Sequence, residues 1–255
     1  MRLPLIAGNW KMNTTIEEAK VLISNLAKPL DGIINVEILI CPPFISLKAV
    51  SELLQNSSIK VGAQNMHYEN KGAFTGEISP LMIKDICQYV IIGHSERRQY
   101  FNDDLYINNK VKAAIKYGIR PILCIGEKLE ENQSGRTIEV LDSQLEQALT
   151  GVEDVATLVI AYEPVWAIGT GKSAGAEQAN KTITTIRKKL GSLYNEEIAS
   201  DVRILYGGST SADNIAEFAS QPEIDGALAG GASLKPEQFI SMVSQTSAIY
   251  NRKKK

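Results

Sequence analysis

Eight short apolar, β-branched runs recur along the chain, at residues 3–7, 36–41, 59–63, 89–93, 121–125, 157–161, 202–206 and 226–229, about 32 residues apart on average. A run of about five residues that is apolar on both faces suits a strand of a parallel sheet covered on each side. Most of the intervals carry helical periodicity. After the first run Ile16, Ala19, Ile23 and Leu26 step by three and four, and Thr14-x-x-Glu17 reads as their capping box. Asp103 and Asp104 precede Ile107, Val111 and Ala114, with Gly118 to end that helix and Pro121 to open the next strand. Ile183, Ile186, Leu190 and Leu193 form another stripe after the sixth run. The third and seventh intervals have the weakest periodicity.

Strand and helix alternating eight times give an α/β protein with parallel strands. Right-handed crossovers leave two common solutions, a closed eight-stranded barrel or an open doubly wound sheet. The count of eight, and a length of 255 residues against the roughly 250 typical of the barrel, favour closure. No Pro/Ser-rich linker or compositional break divides the chain, and solenoid repeat signatures are absent. The expectation is a single-domain (β/α)8 barrel over residues 1–255.

Charge narrows the function. Lys plus Arg (27) nearly balances Asp plus Glu (29), so a net charge of -2 gives no general attraction for nucleic acid or an anionic membrane. Any anion must be held by a local site. Cys41, Cys87 and Cys124 are widely spaced, with no CxxC and only His67 and His94 to help build a metal site. Reduced thiols in a cytoplasmic protein, with no metal, are expected. The apolar stretch 3–7 is too short for a signal segment, and no run approaches the roughly 18 residues of a membrane span.

In such a barrel the chemistry sits at the C-terminal ends of the strands. There the first run is followed by Gly8-Asn9-Trp10-Lys11, the fourth by His94-Ser95-Glu96-Arg97-Arg98 and the sixth by Glu163-Pro164. Each residue has a bland reading alone: a solvated lysine, a satisfied rim histidine, a glutamate ending a strand before proline. Together they are a base, a polarising donor and a fixed cation, the set needed to remove a proton beside a carbonyl and stabilise the enediolate. Gly207-Gly208-Ser209 and Gly230-Gly231 follow the seventh and eighth runs, where barrels often hold phosphate on backbone N–H groups. The segment Gly169-Thr170-Gly171-Lys172-Ser173 is not a Walker A loop, because the first glycine of that motif would fall on Trp166. As GxGxxA it starts too far beyond the sixth run for a dinucleotide fingerprint. A lid fits better, with Pro164-Val165-Trp166 and Lys172-Ser173-Ala174 as hinges.

These stretches resemble the triosephosphate isomerase family from the first strand to the last. The carriers are Ala7-Gly8-Asn9-Trp10-Lys11-Met12-Asn13, Ile91-Ile92-Gly93-His94-Ser95-Glu96-Arg97-Arg98, Ala161-Tyr162-Glu163-Pro164-Val165-Trp166-Ala167-Ile168-Gly169-Thr170-Gly171-Lys172, Tyr206-Gly207-Gly208-Ser209 and Gly230-Gly231-Ala232-Ser233. The resemblance implies interconversion of dihydroxyacetone phosphate and D-glyceraldehyde 3-phosphate, in glycolysis and gluconeogenesis, without a cofactor. It implies that Glu163 is the base, His94 a neutral electrophile and Lys11 the cation, with Asn9 beside it; these roles are the family's own. It further implies phosphate on the N–H groups of Gly169, Ser209, Gly230 and Gly231, and Tyr206, Ser209 and Glu127 holding the lid. Glu96 takes a supporting role. The stretch from Gln64 to Glu77, with Thr75 at its tip, is similar to the family's dimer loop, which implies a homodimer. Ala229 stands where the family more usually has valine, which bears on the phosphate loop. Another phosphate-binding sugar isomerase barrel, or a non-catalytic barrel that binds a partner, remain alternatives.

Overall fold

The computed structural model describes residues 1–168 and 174–254. The eight runs become eight parallel strands: β1 (Leu5–Asn9), β2 (Glu37–Cys41), β3 (Lys60–Ala63), β4 (Tyr89–Ile92), β5 (Arg120–Ile125), β6 (Val159–Tyr162), β7 (Arg203–Tyr206) and β8 (Gly226–Ala229). Each pairs with the next, and β1 pairs with β8, so the sheet closes into a barrel. The helices between them are α1 (Ile16–Leu30), α2 (Leu47–Leu53), α3 (Pro80–Ile83), α4 (Ser95–Phe101), α5 (Ile107–Lys116), α6 (Leu129–Gln133), α7 (Thr137–Leu149), α8 (Ala176–Leu193), α9 (Glu196–Asp201), α10 (Ile215–Ala219) and α11 (Pro236–Lys253). No helix among the described residues is long and apolar enough to cross a membrane.

Strand side chains alternate between two cores. Leu5, Ala7, Leu39, Cys41, Ile91, Ile122, Cys124, Val159, Ala161 and Leu205 fill the barrel interior. Their neighbours, such as Ile6, Ile40, Val90, Leu123, Ile160 and Ile204, pack outward beneath the helices. This two-sided burial is why the runs are apolar throughout rather than alternating.

Local details depart from the sequence reading in two places. The capping box of α1 lies one residue later than Thr14 and Glu17: Thr15 Oγ1 accepts from Glu18 N–H, and Glu18 Oε2 accepts from Thr15 N–H. Thr14 sits at φ 76, in the left-handed region, and cannot take the extended geometry of a cap. Leu193 lies at the frayed end of α8, 37% exposed, while Ile183, Ile186 and Leu190 are buried. In the last turn of α11 the Lys253 ammonium donates to the carbonyls of Ala219, at the end of α10, and Gln221 beyond it.

Candidate active site

The strand ends deliver the polar residues to one mouth. Asn9 closes β1, and its Oδ1 accepts from the Lys11 N–H at 3.0 Å. Gln64 Nε2 donates to the Lys11 carbonyl at 2.9 Å and to that of Cys41 at 3.0 Å. Lys11 is thereby clamped on both sides of its backbone at φ 53, a conformation that a β-carbon makes costly. The strain aims the side chain inward, where its ammonium meets Glu96 Oε1 at 2.5 Å.

His94 caps α4, and its Nδ1 accepts from the Glu96 N–H at 3.2 Å. An accepting Nδ1 carries no proton, so in the neutral ring the proton resides on Nε2, which faces the mouth. Glu163, just beyond β6, is buried, and its Oε2 accepts from the Ser95 N–H at 2.9 Å. Its other oxygen, Oε1, lies 3.2 Å from His94 Nε2 but outside hydrogen-bonding alignment, and it accepts no hydrogen bond among the described residues. A buried carboxylate oxygen without a donor is costly, and an incoming acidic hydrogen relieves that cost. Beneath it stands the Cys124 thiol on β5. Burial first, and then the neighbouring Glu163, push that thiol well above the usual range and keep it protonated.

Asn9, Lys11, His94, Ile168, Gly207, Gly208, Ser209, Thr210, Gly230 and Gly231 border one cavity of about 220 Å³. Glu163 and Ser95 border a second cavity, of about 180 Å³. His94 shares the larger cavity with Lys11 and lies 3.2 Å from Glu163, whose carboxylate borders the smaller one. Glycine is required beside that carboxylate: a Cβ on Gly207 would come 2.7 Å from Glu163 Cγ. Gly169 and positions 170–173 of the expected lid lie outside the described residues.

The residues on either side of positions 169–173 are tied to the barrel. Glu127 Oε1 accepts from Trp166 Nε1 at 3.0 Å and Tyr162 Oη at 3.2 Å. Tyr206 Oη accepts from the Ala174 N–H at 3.0 Å, and Ser209 Oγ donates to the Ala167 carbonyl at 2.7 Å. Ala229 is fully buried in the outer core and is not among the cavity-bordering residues, so its small size acts through packing under the loop. The sequence reading missed Gln64 as the clamp on Lys11, the Ser95 N–H and Cys124. The inward register of β5 signals Cys124; the other two are backbone-mediated and leave no side-chain pattern.

The molecule is a closed parallel barrel with a glycine-lined cavity that Lys11 and His94 border. The sequence profile of the triosephosphate isomerase family matches residues 4–246. A triosephosphate isomerase of Dehalococcoides mccartyi is 54% identical over 253 residues, covering 99% of this chain and 100% of its own length. One from Dictyoglomus thermophilum is 53% identical over 247 residues, covering 95% and 99%. One from Clostridium perfringens is 51% identical over 248 residues, covering 96% and 100%. The chain belongs to the triosephosphate isomerase family.

Proposed function

We propose that the chain, acting as one barrel domain over residues 1–255, interconverts dihydroxyacetone phosphate and D-glyceraldehyde 3-phosphate, in glycolysis and gluconeogenesis in the cytoplasm. The observation that carries this reading is the 3.2 Å approach of Glu163 Oε1 to His94 Nε2 at the mouth that Lys11 also enters. The Glu163 carboxylate swings from the Ser95 N–H and takes the proton from the carbon beside the substrate carbonyl. The C–H electron pair becomes the enediolate double bond, and the carbonyl pair moves onto oxygen. His94 Nε2–H and the Lys11 ammonium stabilise that oxygen. Glu163 then returns the proton to the neighbouring carbon, and His94 relays the proton between the two oxygens. The reaction needs no electron or group from outside.

The phosphate is assigned to the N–H groups of Gly169, Ser209, Gly230 and Gly231, and Asn9 holds the Lys11 turn. An enediolate phosphate can also expel its phosphate group. The latches at Glu127, Tyr206 and Ser209 suppress that loss by closing the lid and fixing the geometry.

A homodimer through the loop from Gln64 to Glu77 accompanies this reading. His67 stacks on Tyr68 and lies against Phe74, with ring centroids 4.4 and 4.2 Å apart, which stiffens the loop. Met12 (97% exposed) and Phe101 (62%) border a cavity of about 220 Å³ next to Lys11, an apolar edge that a second copy would cover. Sedimentation equilibrium should give twice the chain mass; a monomer at micromolar concentration contradicts the dimer. A coupled assay with each triose phosphate tests the reaction: turnover in both directions supports it, and turnover only on longer sugar phosphates overturns it.

A further inference from the structure

Gln144, in the middle of α7, is far in sequence from the residues assigned to chemistry, yet it holds the peptide on which Glu163 rests. Its Oε1 accepts from the Gly126 N–H at 2.8 Å, and its Nε2 donates to the Gly126 carbonyl at 3.1 Å. One side-chain amide thus satisfies both polar groups of one residue, directly past the end of β5. The two groups belong to the peptide units on either side of Gly126, so neither unit can turn about the Gly126 α-carbon without breaking a bond.

Gly126 touches the Glu163 backbone closely. A Cβ on Gly126 would fall 1.7 Å from the Glu163 carbonyl oxygen, so nothing but hydrogen separates the two chains there. The flanking residues bond in register on either side: Glu163 N–H donates to the Ile125 carbonyl at 2.7 Å, and Val165 N–H to the Glu127 carbonyl at 3.0 Å. Segments 125–127 and 163–165 therefore form one unit, which carries Glu163 at one end and the Glu127–Trp166 latch at the other. Gln144 ties the Gly126 end of this unit to α7, while Asn132 of α6 donates to Glu127 at the other. Gln144 borders the same cavity of about 180 Å³ as Glu163, Ser95 and Arg98.

We infer that Gln144 is a positioning residue of the isomerase reaction, fixing through Gly126 the backbone from which the Glu163 carboxylate swings. The inference rests on the function proposed above. Displacing a base by a fraction of an ångström costs rate far more than affinity, because near-attack geometry is lost while the phosphate contacts stay. The phosphate cradle at Ser209 and Gly230 belongs to β7 and β8, on another part of the rim.

The test compares the parent with Gln144→Ala and Gln144→Glu. The parent must first isomerise triose phosphates; failure there removes the proposed function and leaves Gln144 aside. With an active parent, Gln144→Ala should lower kcat roughly 10- to 100-fold, with KM and inhibition by inorganic phosphate within about twofold. Gln144→Glu keeps the acceptor for the Gly126 N–H but turns a charged oxygen against the Gly126 carbonyl, and protonation restores the donor. Its kcat relative to the parent should therefore rise as pH falls from 8 to 5.5. A folded Gln144→Ala with kcat within twofold of the parent overturns the inference. If that variant does not fold, a Gln144→Glu ratio flat with pH overturns it instead.

Discussion

At the scale of single residues, two side chains make opposite predictions. Lys11 is held in a left-handed turn, and its ammonium borders the cavity and pairs with Glu96. Replacing it as Lys11→Met should weaken inhibition by inorganic phosphate and lower kcat/KM by roughly 100-fold, the cost of losing a charge-assisted contact. Unchanged steady-state kinetics would remove Lys11 from the site. Thr210 borders the same cavity, but its hydroxyl is buried without a hydrogen-bond partner among the described residues. Thr210→Val keeps the shape and removes the unpaired group, so it should raise stability by about 1 kcal/mol in urea titrations. A loss of stability would show that the hydroxyl is bonded in solution. Lys11, His94 and Glu163 were legible in the sequence because each follows an apolar run. Gln64 and Gln144 were not, because their targets are peptide groups brought close only by barrel closure.

At the scale of elements, the periodic segments folded as read, and the misses have local causes. The third and seventh intervals gave weak helical signals because α3 and α10 have only four and five residues, too few to display a period. The capping box slipped by one because Thr14 and Thr15 offer the same chemistry, and only the backbone angle separates them. The lid latches belong to this scale as well. Burial pushes the Tyr206 phenol up to about 12, so it stays protonated while its oxygen accepts the Ala174 N–H. Tyr206→Phe removes that latch. It should lower kcat roughly three- to tenfold and raise the share of substrate lost to phosphate elimination, measured as free phosphate released per turnover. An unchanged elimination ratio would show that the latch does not guard the intermediate.

At the scale of the whole molecule, the barrel has a floor as well as a mouth. Glu37, at the start of β2, accepts from Tyr89 Oη at 2.9 Å and from Arg203 at 2.5 Å, while Arg120 donates to the same phenol at 3.0 Å. Burial alone would push the Glu37 carboxyl up. The Arg203 hydrogen bond and charge, with Tyr89 and Arg120, outweigh burial and hold it below the usual range. A carboxyl lowered in the folded state adds stability that is fully present above the unfolded pKa of roughly 4.3 and is lost as pH falls through the folded value. Glu37→Gln should therefore cost about 2 kcal/mol at pH 7, and the gap to the parent should narrow as pH falls from 5 towards 3. A gap constant with pH would mean that the charge of Glu37 is not what matters.

Floor and mouth are joined by the same eight strands, and the mouth has chemistry to perform only if Glu163 moves the proton. Turnover of Glu163→Gln, measured beside its inhibition by inorganic phosphate, tests this most directly. The account predicts kcat lower by roughly 100- to 10,000-fold with phosphate inhibition unchanged, since the amide keeps the shape and loses the base. Turnover within a few-fold of the parent would contradict it.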